Sequence, residues 1–301
     1  MIAILLAPVY LLANYYLLRR VMGWVKAWFP FFRTARHWAL PVAVQAFLAC
    51  SIVIAFFLPE GRARRVMKLI GNYWLGVLLY VLLAVIAADL LRLLLGYVLP
   101  FKHIFVTTQM HRIAGCVCAL VILIASIWGV VNARIIHVTP YDVTVDKTVE
   151  GMDEMKVVLV ADLHLGYNIG EKQMQQMVDR INEQDADLVV IAGDIYDTPV
   201  PPAAACTLLD WFLTQLAARR IPVLAVSGNH DSAERLDFAS GLLAEQGVYI
   251  AGRFHGMPKQ VVLHARYGPL EFTLLPFVRA ATVRHYLPDA DITDYDSAVG
   301  A

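Results

Sequence analysis

Three short polar motifs each follow directly after a β-branched apolar run. They are Asp162-Leu163-His164, Gly193-Asp194-Ile195-Tyr196-Asp197 and Gly228-Asn229-His230-Asp231. Carboxylate, imidazole and amide oxygen are all groups that bind divalent metals in proteins. If the three runs are neighbouring parallel strands, their carboxyl ends meet at one edge of a sheet. The pattern therefore predicts that these side chains gather a pair of divalent metal ions.

Four of these residues are candidate metal ligands. Asp162 and His164 lie two residues apart in a segment expected to be extended, so they can point to the same side and hold the first ion. Asp194, released from its strand by a glycine, is the candidate for a carboxylate that bridges both ions. Asn229 can present its amide oxygen to the second ion. Two ions about 3.5–4 Å apart can activate water and neutralise the charge of a phosphoryl group.

The remaining polar residues of the motifs are candidates for supporting roles. His230 is the candidate catalytic residue, because it would face the scissile bond and either support the leaving oxygen or position the water. Asp231 is expected to fix the tautomer of His230 from outside the metal ligands. Asp197 is expected to be another supporting carboxylate.

The elements that must position the motifs alternate between strands and helices. Parallel strands joined by right-handed crossovers, with chemistry at the carboxyl ends, are expected of a β-α-β-α-β order. The pattern predicts strands at 155–161, 187–192 and 222–227, with helices through 174–181 and 208–216. It also predicts an edge strand at 141–146, a helix from Asp231 or Ser232 to about Gln246, and strands at 248–250, 260–265 and 271–275.

The N-terminal part of the chain has the composition of a membrane protein. The 301 residues are 59% hydrophobic, with a mean hydropathy of +0.59, which is too apolar for an ordinary soluble domain. Uncharged runs of nearly the required length predict four transmembrane helices, at 1–18, 38–59, 69–88 and 113–133. Residues 1–134 are therefore expected to be a multi-pass region of the cell membrane, with the lipid bilayer as partner. Asp89 and Arg92, at the end of the third span, are expected to form an interfacial pair, with part of an intramembrane polar site as the alternative.

Charged residues bear on orientation and on partners. Eight basic residues fall in the first and third loops, and six in the second loop and beyond span four. The positive-inside rule then favours an extracytoplasmic soluble domain. Residues 1–150 carry a net charge of +9 and residues 151–301 carry −9, so the second half suits cations and disfavours electrostatic capture of nucleic acid. Four cysteines lack disulfide or zinc spacing and are expected to be buried free thiols.

The three motifs resemble the first three signatures of the calcineurin-like metallophosphoesterases. The resemblance covers about residues 135–301 and implies a partial four-layer α-β-β-α sandwich with a dinuclear centre of manganese, iron or zinc. The stretches VVLVADLHLGYNIG and INEQDADLVVIAGDIYD are similar to bacterial membrane-anchored members of that family. From about residue 197, DTPVPP, VSGNHDSAERLDFAS and FTLLPFVRAATVRHYLPDADITDYDSAV resemble the exonuclease subunit SbcD.

The sequence also departs from the family pattern. The resemblance implies three further histidines, including a Gly-His-x-His pair, and none is recognisable before Ala301. His255, His264 and His285 lack that spacing and are expected to lie on the surface or in loops. The fold is accordingly expected to be incomplete at the C-terminus, in a truncated or chimeric chain with a junction near residues 190–200. Such a chain is expected to bind one ion usefully and to turn over slowly or not at all.

These observations leave three interpretations of function. The first is a membrane-anchored, metal-dependent phosphoesterase that hydrolyses phosphomonoesters or phosphodiesters with metal-activated water. The second is an SbcD-like DNA exonuclease subunit, which would bind nucleic acid and an ATPase partner. The third is a non-catalytic, truncated membrane protein. The fold class common to all three is an α-helical transmembrane region followed by an α/β metallophosphoesterase domain at residues 135–301.

Overall fold

The chain divides by its internal contacts into two units, Met1–Ile135 and Ile136–Ala301. A computed structural model describes residues 2–59, 61–98, 107–146, 154–265 and 268–301. The first unit is helical, and the second contains the strands. Each unit is described separately below.

Long helices make up the described part of the first unit. They are α1 (Ile2–Trp28), α2 (Ala39–Phe57), α3 (Arg62–Leu93) and α4 (Thr108–Asn132), with short 3-10 turns at Pro30–Arg33 and Ala35–Trp38 and a π-helical turn at Leu94–Val98. The long helices are apolar because runs of Leu, Val, Ile and Ala fill them with few interruptions. Thr107 caps α4 by accepting a hydrogen bond from the backbone N–H of Met110.

Three helical stretches of this unit are long and apolar enough to cross a membrane. They are Arg36–Phe57, Arg62–Gly96 and Thr108–Asn132, and few of their side chains are buried within the chain. An apolar helix that the protein itself does not cover is suited to contact with lipid. These stretches coincide with the second, third and fourth predicted spans. The first, residues 1–18, lies within α1 and stays a prediction.

Polar side chains connect α1 to α3 and α4. Asp89 on α3 forms an ion pair with Arg20 of α1 and accepts a hydrogen bond of 2.5 Å from the hydroxyl of Tyr16. The expected pair of Asp89 with Arg92 is therefore wrong, because Arg20 and Tyr16 from the neighbouring helix occupy the carboxylate. Nε1 of Trp24 donates to the backbone oxygen of Arg112 at 3.3 Å.

The second unit is built on a four-stranded parallel sheet. Its strands are β1 (Val157–Val160), β2 (Leu188–Ala192), β3 (Val223–Val226) and β4 (Val248–Ala251), in the order β1-β2-β3-β4. Helices α5 (Glu171–Asn182) and α6 (Ala203–Ala218) separate the first three strands in sequence. The predicted alternation of strand and helix is confirmed. The register places Ile191 beside Val160 on one side and beside Ala225 on the other.

Both faces of this sheet are covered by apolar side chains. On one face, alternate strand residues such as Val189 and Val223 pack with α5 and α6, including the fully buried Phe212. On the other face, Leu188 and Leu224 pack against an antiparallel hairpin of β5 (Lys259–Ala265) and β6 (Gly268–Leu274). Burial on both faces explains why the strands read as continuous apolar runs. Helix, sheet and hairpin are three layers of the expected four-layer sandwich.

Short helices complete the described part of the second unit. Between β3 and β4 lie α7 (Ala233–Asp237) and α8 (Ser240–Ala244), and beyond the hairpin lie α9 (Ala280–Tyr286) and α10 (Tyr295–Gly300). The single helix predicted up to Gln246 is therefore wrong. The chain turns at Ala239, whose φ of +60° lies outside the right-handed helical region, so α7 and α8 are separate helices.

Two further expectations are corrected by this structure. Residues 141–146 have no regular secondary structure, and Tyr141 and Val143 are more than 80% exposed. The alternation of residue types there does not make a strand, because no neighbouring strand pairs with it in the described part of the chain. The cysteines are free thiols, as expected, but Cys50, Cys116 and Cys206 are exposed and not buried.

Candidate metal centre

The three polar motifs lie in loops at the carboxyl ends of three adjacent strands. Asp162 follows β1 by two residues, and Asp194 follows β2 by the same interval. The Gly228–Asp231 segment begins two residues after β3. Since β1, β2 and β3 are neighbours in the sheet, the motifs meet at one edge, as the sequence predicts.

Backbone hydrogen bonds hold the first two loops together. The N–H of His164 donates to the carbonyl of Asp194 at 2.9 Å, and the N–H of Leu165 donates to Ile195 at the same distance. The N–H of Asp197 returns a bond of 3.1 Å to the carbonyl of Leu165. These bonds, with a parallel bridge between Leu165 and Tyr196, continue the β1–β2 pairing past the strand ends and fix where the side chains project.

The candidate ligands adopt an unusual backbone conformation. Asp162, His164 and Asp194 have φ values of +55°, +44° and +47°. They are three of the six non-glycine residues with positive φ in the described part of the chain. Each such residue costs about 1–3 kcal/mol and persists only where its surroundings enforce it. The expected extended path for Asp162 and His164 is therefore wrong, and tight turns bring the two side chains together instead.

A first group of ligand atoms converges around His164. Nε2 of His164 lies 3.6 Å from Oδ1 of Asp162 and 3.9 Å from Oδ2 of Asp194. The ligand atoms of these three residues all lie within 4.8 Å of one another. Ligand atoms that each lie about 2.0–2.2 Å from one ion are separated from one another by distances similar to the 3.6 and 3.9 Å found here. The donor set of two carboxylates and one imidazole therefore fits a divalent metal ion.

A second group shares His164 with the first. His164, Asp197 and His230 also offer ligand atoms within 4.8 Å of one another. Nδ1 of His164 lies 3.9 Å from Oδ1 of Asp197, and it is buried without a hydrogen-bond partner among the described residues. At 3.9 Å the two atoms do not form a hydrogen bond, so Nδ1 of His164 can serve as a ligand atom of this second group.

His230 lies against the same cluster, but its partner differs from the expected one. Nδ1 of His230 is 3.2 Å from the backbone oxygen of Asp197, and its ring meets that of His164 edge-on at 5.1 Å. A carbonyl only accepts, so Nδ1 carries the proton and Nε2 is the ring atom available to a substrate or water. The backbone N–H of His230 donates to Oδ1 of Asp194 at 3.0 Å. Asn229, the residue before it, is exposed beside this contact.

Asp231 has a different role from the predicted one. Its carboxylate accepts hydrogen bonds from three backbone N–H groups, those of Ile195 at 3.1 Å, Tyr196 at 2.8 Å and Gly228 at 2.8 Å. The expected bond to the ring of His230 is wrong, because these donors take both oxygens of Asp231. The carboxylate instead ties the loop after β2 to the loop after β3.

Replacing Asp231 by Ala is expected to destabilise the second unit. It would leave three backbone donors without their acceptor, and an unsatisfied buried donor costs about 1–3 kcal/mol. Since 1 kcal/mol shifts the melting temperature of a domain of 150–250 residues by about 2–4 °C, a fall of several degrees is expected. Thermal unfolding of the full chain in detergent measures it, with Asp210→Ala, an exposed aspartate on α6, as control. Equal melting temperatures of Asp231→Ala and wild type would contradict the proposal that Asp231 holds these two loops together.

Gly228 allows Asp194 to approach the loop after β3. A Cβ atom at Gly228 would lie 2.1 Å from Oδ1 of Asp194 and 2.2 Å from its backbone N. Asp194 follows Gly193, whose φ is +79° and whose own Cβ would lie 3.0 Å from Cα of Gly228. Gly193 and Gly228 therefore allow the loops after β2 and β3 to lie in direct contact. The contact is at the carboxylate of Asp194, which connects the ligand group to His230.

Gly228→Ala is accordingly expected to disrupt the cluster. The added methyl group must displace Asp194, so we expect Mn²⁺ affinity to fall by about tenfold or more, with about 1–3 kcal/mol of lost stability. Calorimetric Mn²⁺ titration and thermal unfolding measure the two effects. Gly241→Ala is the matched control, because a Cβ there meets nothing within 4 Å. Unchanged Mn²⁺ affinity in Gly228→Ala would show that the contact is dispensable.

Tyr196 is not available as a base, and three histidines outside the motifs lie on the surface. Burial raises the pKa of Tyr196 far above its usual range, so its phenol stays neutral and does not act as a base. His255, His264 and His285 are exposed, as predicted, and His255 contacts Asp237 at 3.3 Å. The sequence did not indicate that the backbone carbonyl of Asp197 contacts the ring of His230; it indicated Asp197 only as a supporting carboxylate.

The convergence of these loops at one sheet edge can be compared with known families. Residues 155–289 match the calcineurin-like phosphoesterase family. This phosphoesterase domain includes the six strands of the described residues and each of the three motif loops. The family is one of dinuclear, metal-dependent phosphoesterases, and the His/Asp groups around His164 could bind metal. The narrower resemblances to membrane-anchored members and to SbcD stay predictions.

Proposed function

We propose that this protein is a membrane-anchored, metal-dependent phosphoesterase. The observation that carries the proposal is the meeting of Asp162, His164 and Asp194 at the carboxyl edge of the sheet in a phosphoesterase domain. The helices Arg36–Phe57, Arg62–Gly96 and Thr108–Asn132 support the anchor by length and composition. A domain held at a bilayer favours lipid-linked or envelope phosphomonoesters and phosphodiesters as substrates.

Each group of residues has a distinct task in this proposal. Asp162, His164, Asp194 and Asn229 would hold two divalent ions, of manganese, iron or zinc. When bound, the ions supply a nucleophilic water and neutralise charge on the phosphoryl oxygens. His230, held by the carbonyl of Asp197, would act on the leaving oxygen or position the water through Nε2. Asp231 holds the loops in register and touches neither reacting group.

A comparison of two substrates under one set of conditions tests the proposal. The full chain in detergent, with Mn²⁺, is given a small aryl phosphodiester and, separately, linear duplex DNA. We expect hydrolysis of the aryl ester, its loss on chelation, and its return when Mn²⁺ is added back. Preferential digestion of duplex DNA would instead favour the nuclease interpretation, against which the charge of −9 on residues 151–301 argues.

One variant distinguishes a non-catalytic membrane protein, the third interpretation, from an enzyme that was assayed with the wrong substrate. Asp162→Ala removes a carboxylate that is largely exposed, so folding should survive while Mn²⁺ affinity falls. If the wild-type chain hydrolyses neither substrate and Mn²⁺ binding is lost in Asp162→Ala, the domain binds metal without catalysis. If Asp162→Ala binds Mn²⁺ as tightly as wild type does, the assignment of the ligand group is wrong.

A further inference from the structure

A cavity of about 370 Å³ lies within the helical unit, between α1, α3 and α4. Its lining is mostly apolar and includes Trp24, Val85, Ile113 and Val117. Four charged or nitrogen-bearing polar side chains, Arg20, Asp89, Arg92 and His111, also line it, together with the thiol of Cys118. A cavity with an apolar lining and a few charged groups suits an amphipathic ligand with a charged head.

The charges that line this cavity leave an excess of positive charge. Among the described residues that line it, Asp89 is the only acidic one, and its Oδ2 contacts Arg20 and Tyr16. Within the described part of the chain, the structure gives Arg92 no acidic partner. His111 also lines the cavity and adds a further nitrogen donor. The head group that fits here is therefore an anion.

The charged residues lie at one end of the helices. Arg20 and Trp24 belong to the last third of α1, and Arg92 lies at the end of α3. His111 belongs to the first turn of α4. Beside it, the backbone carbonyl of Arg112 accepts a hydrogen bond from Nε1 of Trp24. Nε of Arg112 donates to the backbone oxygen of Ala27 at 2.7 Å. In the membrane placement proposed above, these positions would fall at the head-group level of one leaflet, where basic pockets between helices bind anionic lipids.

We propose that this cavity binds one anionic phospholipid. Its phosphate would lie at Arg92 and His111, and an acyl chain would follow the apolar lining past Val85 and Val117. The inference rests on the membrane location proposed above, and it concerns lipid binding by the helical unit and not hydrolysis.

Lipid binding by the full chain tests this proposal without any measurement of hydrolysis. The protein in detergent is titrated with phosphatidylglycerol and with phosphatidylcholine, and bound lipid is counted by native mass spectrometry. We expect one phosphatidylglycerol per chain, held more tightly than phosphatidylcholine. Arg92→Gln should weaken phosphatidylglycerol by about five- to tenfold, the effect of one basic residue near a membrane surface. Arg92→Lys, which keeps the charge, should retain most of the affinity.

Matched controls make the result specific to the cavity. Arg62→Gln removes a basic residue from the opposite end of the same helix and should bind phosphatidylglycerol like wild type. Glycerol 3-phosphate, which has the head-group chemistry without acyl chains, should not compete at equal concentration. Equal losses in Arg92→Gln and Arg62→Gln, equal affinity for both lipids, or competition by glycerol 3-phosphate would each overturn the proposal. Absence of phosphoesterase activity would contradict the proposed function alone.

Discussion

Asp194→Asn is expected to weaken Mn²⁺ binding and to lower phosphoester hydrolysis together. Oδ2 of Asp194 lies 3.9 Å from Nε2 of His164, and Oδ1 accepts the N–H of His230. The amide keeps the shape and one acceptor oxygen, so the contact with His230 can persist while the negative charge is lost. Losing an outer partner of a metal ligand costs about 10–100-fold, and a carboxylate in the ligand group itself should cost at least as much.

Calorimetric titration with Mn²⁺ and the initial rate on an aryl phosphodiester measure the two effects of Asp194→Asn. The titration follows Mn²⁺ binding to the group formed by Asp162, His164 and Asp194. Asp210→Asn makes the same chemical change on the exposed face of α6 and should leave both quantities unchanged. If Asp194→Asn kept wild-type affinity and rate, Asp194 would not be a metal ligand, whatever its position.

The sequence predicted the parallel sheet because burial on two faces leaves a clear pattern. β2 and β3 read as continuous apolar runs, and both lie within a residue of the predicted bounds. Residues 141–146 show the limit of such reasoning. Alternating residue types there met the criterion for a half-buried strand, yet Tyr141 and Val143 are exposed. Strand formation needs a partner edge as well as a pattern, and a local window of sequence contains no information about the partner.

The site was predicted at the level of residue types and strand ends, but not at the level of contacts. Asp162, His164 and Asp194 were correctly brought together, although by left-handed turns and not by an extended segment. From the sequence, Asp231 is expected to fix the tautomer of His230. Its oxygens instead accept backbone N–H groups from across the site, and backbone donors have no sequence signature. For the same reason, the sequence did not indicate that the backbone carbonyl of Asp197 contacts Nδ1 of His230.

The positive φ values suggest why this cluster is specified so closely. Strained backbone at three ligand positions is tolerated only if the loops around them are held firmly. The bonds from His164 to Asp194 and from Ile195 and Tyr196 to Asp231 provide that support. The ligand geometry is therefore set by backbone contacts before metal binds, which lowers the cost of ordering the site on binding.

His230→Gln is expected to separate catalysis from metal binding. Glutamine removes the imidazole, while the backbone N–H of residue 230 can still donate to Asp194. Proton transfer by a positioned side chain contributes about 10²–10⁴-fold, so kcat should fall within that range. If His230 acts only on the leaving oxygen or the water, Mn²⁺ affinity should remain that of wild type and KM should change little.

The alternative to this role for His230 is also defined by the structure. His230 shares a possible ligand group with His164 and Asp197, so a parallel loss of Mn²⁺ affinity in His230→Gln would make it a ligand and not a catalytic residue. His285→Gln, on the exposed surface of α9, controls for general effects of losing a histidine. Unchanged kcat in His230→Gln would remove the residue from the chemistry altogether. The ratio of kcat loss to affinity loss therefore decides among the three roles, because only direct action on the reacting groups lowers kcat while metal binding is preserved.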